Sequence, residues 1–477
     1  MLEKSKLISN SLSLILNRLT QSVTTFVLTA AIARYLGAEA LGQYLLGFSY
    51  YFIFVGIASQ GLKVLFTREL AREPQKTSVY LMSGTWLQLI FGLLSYGALV
   101  IVVFLLPYSS KTSTVCYIMG LTIIPFGLSN VTEGIFQARE KMHLIAIATV
   151  PVYILRLVIM IWAMQLNYGI EYLGAILFVS EALILLLEWI LIARIVKIQW
   201  QIDRDFVWNT IKNARTFFAI EAMSVISGRV QILILSLLGN EFLVGLFGGI
   251  TQLLQPFLII ANSVTVAMFP RLSKAGDKEK EKQQKIAESF IEILLTMGLP
   301  LFLGLLFFGK DLLILIYDSS FAQADLSLTI SAGSLLLLPF IRTLCYVLVA
   351  NHFEIVNLRE VMITTTLGSL GGVALVSQYQ LLGAAIMSLL MAILGFGQYV
   401  YFTYTLLFPL NFWRIIRRPF IISTLLLIIF VILKEINLNF LLTLTIATLS
   451  YILIVTFVSI HALGGINFVL RKLKNKH

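Results

Sequence analysis

The sequence predicts an all-α integral membrane protein with about 14 transmembrane helices, built as two related sets of six followed by two more. Three observations lead there. Of 477 residues, 58% are hydrophobic and 12% charged, whereas an ordinary soluble domain carries about 25% charged residues. Apolar runs of roughly 20 residues, the length that crosses bilayer hydrocarbon, recur along the whole chain between short polar breaks. One break occurs twice: Leu36-Gly37-Ala38-Glu39-Ala40-Leu41-Gly42-Gln43-Tyr44 returns as Leu238-Gly239-Asn240-Glu241-Phe242-Leu243-Val244-Gly245-Leu246-Phe247.

The flanks of the repeat agree with it. A shift of 202 carries Ser22-Val23 onto Ser224-Val225 and Thr25 onto Ser227, and a shift of 203 carries Phe66-Thr67-Arg68 onto Phe269-Pro270-Arg271. A glycine at a helix C-terminus supplies a left-handed residue that stops the helix, and the acidic residue after it suits the first turn of the next. Each copy therefore reads as a hairpin between two membrane helices, and the pair as an internal duplication of the kind many transporters carry.

In chain order, the first set of spans is expected at 10–33, 43–66, 79–105, 114–137, 143–166 and 172–196. The second set follows at 213–237, 244–269, 286–308, 326–350, 358–377 and 381–407, and two more spans at 419–433 and 440–462 close the chain. This divides the sequence into residues 1–200, a six-helix bundle; 201–410, its repeat; and 411–477, two further helices and a basic tail. The stretch after the N-terminus is too long, and lacks the small-residue site, for a cleavable signal. Of the 35 Lys and Arg residues, 26 lie in or within three residues of one alternate set of connecting segments and 4 (Arg34, Lys111, Lys310 and Lys434) in the other. The positive-inside rule then places both termini in the cytoplasm. The net charge of +11 is explained by this orientation; no face interleaves basic with aromatic residues, so nucleic acid is not an expected partner. The longest polar segment, Arg271 to Lys285, is expected as a surface amphipathic helix or a solvated linker.

Enzyme signatures are missing from the sequence. It has no Walker A pattern, no H-E-x-x-H and no G-x-S-x-G. Cys116 and Cys345 lack metal-ligand spacing and read as packing residues, and His143 and His352 as interface residues, so no metal or cofactor is expected. Polar residues inside the spans carry more information. Ser13, Asn17, Thr20, Gln21 and Thr24 recur at steps of three and four in the first span, so they share a helix face, and Glu221, Ser224, Ser227 and Gln231 repeat the idea in the seventh. Such stripes suit a wet interior or hydrogen bonding between helices. Arg18, Arg156, Arg229 and Arg342 lie deepest among the cations, with Glu181, Glu188 and Glu221 at similar depth. An Arg at mid-bilayer costs at least about 2.5–3.5 kcal/mol, so it pairs, snorkels or faces a cavity. Lys63, close to Arg68, reads as snorkelling. Arginine's planar fork matches phosphate oxygens and is weakly hydrated, which suits a partly dry anion site.

Asn17-Arg18, then Ala33-Arg34-Tyr35-Leu36-Gly37-x-Glu39-x-x-Gly42-x-Tyr44, Thr67-Arg68-Glu69, Glu133-Gly134-Ile135-Phe136-Gln137-Ala138 and Glu140-Lys141-Met142 occur in that order. In this the chain resembles the Wzx-type polysaccharide biosynthesis flippases, within the multidrug, oligosaccharidyl-lipid and polysaccharide exporter superfamily; the likeness covers most of the chain and is strongest over 10–145. The resemblance implies a MATE-like fold of two pseudo-symmetric bundles around a central cavity in a bacterial or archaeal cytoplasmic membrane. It implies an undecaprenyl-diphosphate oligosaccharide substrate moved from the inner to the outer leaflet by alternating access, for O-antigen, lipopolysaccharide, capsule or exopolysaccharide synthesis. Arg18, Arg156, Arg229, Arg342, Asn17, Gln21 and Gln231 are then the expected substrate contacts, and Glu221 and Glu188 the ion-coupling candidates. Membrane lipids, a coupling proton or sodium ion, a polysaccharide polymerase and glycosyltransferases are the implied partners. Many relatives carry an Asp near Gln231, and its absence here puts an acidic role at that position in doubt. A cation-coupled drug or metabolite antiporter would share the architecture but expect acidic cavity residues to dominate. A membrane glycosyltransferase or polymerase would need a large outer loop, and the outer loops here are short.

Overall fold

The computed structural model describes residues 2–59, 61–196, 208, 223, 225–275, 279–436 and 440–462, with side chains between Asn10 and Thr456 other than Ser11. Among these residues the regular elements are helices. They are α1 (Leu2–Ser59), α2 (Leu62–Arg72), α3 (Thr77–Leu105), α4 (Ser110–Gly120), α5 (Ile123–Ala138), α6 (Met142–Gln165), α7 (Ile170–Ala193), α8 (Val230–Leu238), α9 (Glu241–Ala275), α10 (Lys280–Ile316), α11 (Asp325–Ala332), α12 (Leu338–Ala350), α13 (Glu354–Leu406), α14 (Phe412–Glu435) and α15 (Phe440–Ala462). Ten helical stretches of the described residues are long and apolar enough to cross a membrane. Two of them hold two crossings each, because α1 breaks at Gly37 and α13 at Gln380. With α8 and α15, helix occupies every expected span wherever residues are described.

By contact the chain divides into two compact units, Met1–Gly249 with Gly372–Ala384, and Ile250–Gly371 with Ala385–His477. In the first unit the repeated turn organises the helix ends. Gly37 has φ 87° and ψ 173°, a region open to glycine and strained for other residues, so the helix breaks there as the sequence leads one to expect. The second copy makes its turn differently. Gly239 has φ −116° and closes α8 with its N–H on the Leu235 carbonyl at 2.9 Å, and the Asn240 side chain accepts from the Leu243 N–H at 3.0 Å to start α9.

Helices in a membrane gain little from burying apolar surface against each other, so small residues that allow close approach carry much of the packing. The two repeated turns meet in this way. A Cβ on Gly42 would lie 1.7 Å from the Glu241 carbonyl oxygen, and one on Gly245 would lie 1.8 Å from the Ala38 carbonyl oxygen. Around this crossing Thr112 donates to Glu241 Oε1 at 2.7 Å, and Tyr108 bridges Tyr50 (2.9 Å) and Ser236 (2.8 Å) through its hydroxyl. Farther along, the second span is interrupted between Ser59 and Leu62, with Gly61 in the left-handed region at φ 70°. The Ala58 carbonyl, which would have met the N–H of Leu62 in a continuous helix, accepts instead from Gln88 Nε2 at 3.1 Å. Beyond the break α2 packs on α5, with Leu62, Phe66, Val131, Ile135 and Phe136 in one buried cluster.

The α5–α6 and α12–α13 turns carry a second record of the duplication. At the α5–α6 turn, the N–H of Lys141 donates to the Phe136 carbonyl (2.8 Å) and that of Glu140 to Gln137 (3.0 Å), with Glu140 at φ 54°. At the α12–α13 turn, Phe353 donates to Leu348 (2.9 Å) and His352 to Val349 (3.1 Å), with His352 at φ 63°. A shift of 212 superposes the two, and it also carries the α4/α5 interruption at Leu121–Thr122 onto Gly333–Ser334 between α11 and α12. Most of the increase over 203 is the length of α10, 37 residues against 29 for α3.

In the second unit α14 lies along α10. Ile422, Leu426 and Phe430 pack with Leu303, Phe307 and Phe308, Arg418 meets Glu292 at 3.1 Å and Arg414 meets Glu288 at 3.6 Å. The segment from Arg271 to Lys285 continues the flanking helices where it is described, since α9 runs to Ala275 and α10 begins at Lys280.

Candidate functional site

The polar face of the first span is largely spent on helix structure. Ser22 donates to the Arg18 carbonyl, Thr24 to Thr20 and Thr29 to Thr25, each at 2.8 Å, the back-bonding that hydroxyls make inside helices. Asn17 accepts from Thr149 of α6 at 2.9 Å, so it ties two helices together. Arg18 and Gln21 remain exposed on the same helix.

Arg229 is held differently. The seventh span is interrupted by a turn at Gly228–Arg229, and Arg229 is the residue preceding the first turn of α8. Its guanidinium lies over two aromatic rings of the second span, 5.3 Å from the Phe52 centroid and 5.6 Å from that of Phe48, and those two rings are 4.8 Å apart. Ring faces attract a cation without neutralising it, and among the described residues no carboxylate lies within 4 Å of it. The positive end of the α8 dipole adds to the same field. Gln231, half-buried in the first turn of α8, has bonding partners of its own. Phe48 and Phe52 are four residues apart on one face of the second span; that spacing was the signal in the sequence, and apolar packing masked it.

The other deep charges are paired. Arg156 of α6 meets Glu181 of α7 at 2.8 Å, with side chains 11% and 7% exposed, and stands 4.9 Å above the Tyr153 ring. Lys63 forms an ion pair with Glu133 of α5. The physical reason is close approach, since a Cβ on Gly134 would sit 3.3 Å from the Lys63 carbonyl oxygen. Glu188 is fully buried and accepts from Thr132. Arg342, exposed in the second unit, lies within electrostatic reach of Glu360, and Glu360 accepts from Thr364 at 3.0 Å. Glu221 and Ser224 fall outside the described residues. The first unit thus brings Arg229, Arg156, Asn17 and Glu188 into its helix packing, and leaves Arg18 and Gln21 on its surface.

Residues 7–276 match the family described as polysaccharide biosynthesis protein. The chain belongs to that family. The chain is 26% identical over 281 residues to the stage V sporulation protein B of Bacillus subtilis, a match covering 55% of this chain and 51% of that one. It is 22% identical over 223 residues to the probable low-salt glycan biosynthesis flippase Agl15 of Haloferax volcanii, covering 43% of this chain and 46% of that one. The match therefore spans about half the length of each of these relatives. Among solved structures the inward closed conformation of the lipid II flippase MurJ is similar with a TM-score of 0.75, 15% identity and coverage of 94% of this chain and 98% of that one. An inward-facing multidrug resistance MATE transporter is similar with a TM-score of 0.64, 15% identity and coverage of 81% and 95%. At such identity the likeness establishes the fold. The chain is a multi-pass membrane protein with the fold of these two structures.

Proposed function

We propose that this polysaccharide biosynthesis protein flips a lipid-linked oligosaccharide, carried on undecaprenyl diphosphate, from the inner to the outer leaflet of a bacterial or archaeal cytoplasmic membrane. It does so by alternating access between its two six-helix halves, and supplies surface polysaccharide synthesis such as O-antigen, capsule or exopolysaccharide. The observation that carries the reading is Arg229, a cation inside a membrane span, flanked by Phe48 and Phe52 and by a helix N-terminus, without a described carboxylate beside it. A diphosphate fits this chemistry, since it offers paired oxygens to the guanidinium fork, and a cationic drug does not. Arg18 and Gln21 add exposed polar groups on the same unit, Gln231 and Asn17 would contact substrate only by giving up present partners, and Arg342 offers a second cation on the other. Arg156 would contact a diphosphate only by releasing Glu181. Flipping then consists of shielding the polar head from hydrocarbon while the polyprenyl chain stays in the bilayer, with no covalent step. Both termini lie in the cytoplasm in this reading, and the polymerase and glycosyltransferases of the same pathway are its partners.

The test is translocation in proteoliposomes, with a lipid-diphosphate oligosaccharide in one leaflet and its accessibility to an external probe followed in time. A charge-assisted hydrogen bond is worth about 1.5–3 kcal/mol, so Arg229→Ala is expected to slow flipping about 10-fold to 100-fold with insertion intact. Arg229→Lys, which keeps the charge and loses the fork, is expected to fall between. If the native chain moves no lipid-linked sugar and instead exchanges small cations for protons, the antiporter reading replaces this one.

A further inference from the structure

The half-helix that opens at Arg229 is held at its other end by the connection between α3 and α4. Ser236, two turns after Arg229, gives its one hydroxyl hydrogen to the Leu233 carbonyl at 2.8 Å. Its oxygen therefore accepts from Tyr108 at 2.8 Å, and Tyr108, with its own hydrogen engaged, accepts from Tyr50 of the second span at 2.9 Å. A second chain runs beside the first. Ser109 donates to Thr112 at 2.9 Å, and Thr112 donates to Glu241, the first residue of α9, at 2.7 Å. Each hydroxyl has a single hydrogen to give, and the two chains end on a carbonyl and a carboxylate, which only accept. Tyr50 and Thr112 are buried. The connection is thus tied at once to the second span, to the far end of α8 and to the start of α9.

These bonds bear on where Arg229 stands. Phe48 and Phe52, the rings under its guanidinium, share one face of the second span, and Tyr50, two positions from each, lies on the opposite side of that helix. α8 is therefore fixed to the second span from two sides, by Arg229 over the rings and by Ser236 through Tyr108. Apolar burial alone does not fix it: α8 has nine residues, it starts at a turn, and Leu237 and Leu238 at its far end are each 41% exposed. The duplicated fold does not require the arrangement either. The shift of 202 puts Val27 in place of Arg229, and the shift of 203 puts Thr251, Leu253 and Gln255 in place of Phe48, Tyr50 and Phe52. The shift of 212 puts Ser320 and Ala324 in place of Tyr108 and Thr112. The arginine, the rings and the strap that joins them are thus all missing from the other copy.

We propose that Tyr108 is a positioning residue for Arg229: it straps α8 to the second span and so keeps the guanidinium over Phe48 and Phe52. Its use in flipping rests on the transport reading above, but the positioning is testable without substrate. In the full-length protein in lipid nanodiscs, 4-fluorophenylalanine in place of Phe52 reports the nearby charge through its fluorine resonance, and Arg229→Gln gives the value without that charge. Tyr108→Phe removes one hydroxyl and keeps the ring, and Ser236→Ala removes the acceptor on the other side. Both are expected to move the resonance toward the Arg229→Gln value. Thr114→Val, whose hydroxyl bonds the Ser110 carbonyl of its own helix, is expected to leave it in place. In flipping, loss of one neutral hydrogen bond is expected to raise the KM for a lipid-diphosphate oligosaccharide about 2-fold to 10-fold in Tyr108→Phe, with no further rise in an Arg229→Ala background. A resonance that is the same in the native protein and in Arg229→Gln overturns the proposal. So does one that stays in place in whichever of Tyr108→Phe and Ser236→Ala folds, or that moves as far in Thr114→Val. A resonance that moves in Tyr108→Phe, in a protein whose native form flips no lipid-linked sugar, would defeat the transport reading alone.

Discussion

The charged side chains inside the spans divide by partner, and the division sets what each can do. Arg156 and Glu181 form an ion pair with both side chains nearly out of contact with the surroundings. Removing one partner of such a pair leaves an uncompensated buried charge at about 3–5 kcal/mol, while replacing both by apolar residues is close to neutral. Glu181→Ala alone is therefore expected to lower the thermal midpoint of the detergent-purified protein sharply, and Arg156→Met with Glu181→Met to restore most of it. If the double variant is no better than the single one, the pair is engaged in something beyond mutual neutralisation. Depth and charge of these residues are legible in the sequence, from their distance to the nearest polar break. Their pairing is not, because Arg156 and Glu181 stand on different helices, and Lys63 and Glu133 are 70 positions apart. Which Arg stays without a carboxylate is decided by neighbours the sequence places far away, as Phe48 and Phe52 are from Arg229.

At the scale of elements, the turns are the best-read part of the chain. The break at Gly37 is where the sequence pattern places it, and its backbone explains why glycine stands there: φ 87° with ψ 173° is of order 1–3 kcal/mol for a residue with a side chain. Gly37→Ala, which meets no neighbour within 4 Å, is expected to lose about that much stability through backbone strain alone, measured as a shift in thermal midpoint. The contact between the two repeated turns makes a different prediction. Gly245→Val would place atoms where the Ala38 carbonyl stands, so the backbones must separate. Thr112, fully buried against Glu241, reports on this: with Thr112→Cys in a background of Cys116→Ser and Cys345→Ser, Gly245→Val is expected to raise labelling by a membrane-impermeant maleimide. Unchanged labelling would mean that the crossing is not what keeps Thr112 from water. Both copies of the turn were visible in the sequence as residues, but not that they pack on each other. The matched turns at Glu140 and His352 left no sequence trace, since a turn of this kind is set by backbone hydrogen bonds that several residue types can make.

For the whole molecule, the last two helices form part of the second unit's packing. α14 covers α10 with apolar contacts and two ion pairs, so removing residues 411–477 would expose Leu303, Phe307, Phe308 and two acidic side chains together. A chain ended at Leu410 is expected to insert but to aggregate on extraction, giving loss of a monodisperse peak in size-exclusion chromatography; an unchanged peak would show that α14 is dispensable for the unit. The sequence by itself determined the membrane class, the number and order of the spans, the duplication and the family, because all of these rest on local quantities: apolar run length, glycine at turns, charge at helix ends and short motifs in order. Only the tertiary structure decided which buried charges neutralise each other, and that Arg229 lies over two rings at the start of a half-helix. Those facts depend on which helices touch and how closely, and in a bilayer that is settled by small residues such as Gly42, Gly134 and Gly245, whose partners lie far along the chain.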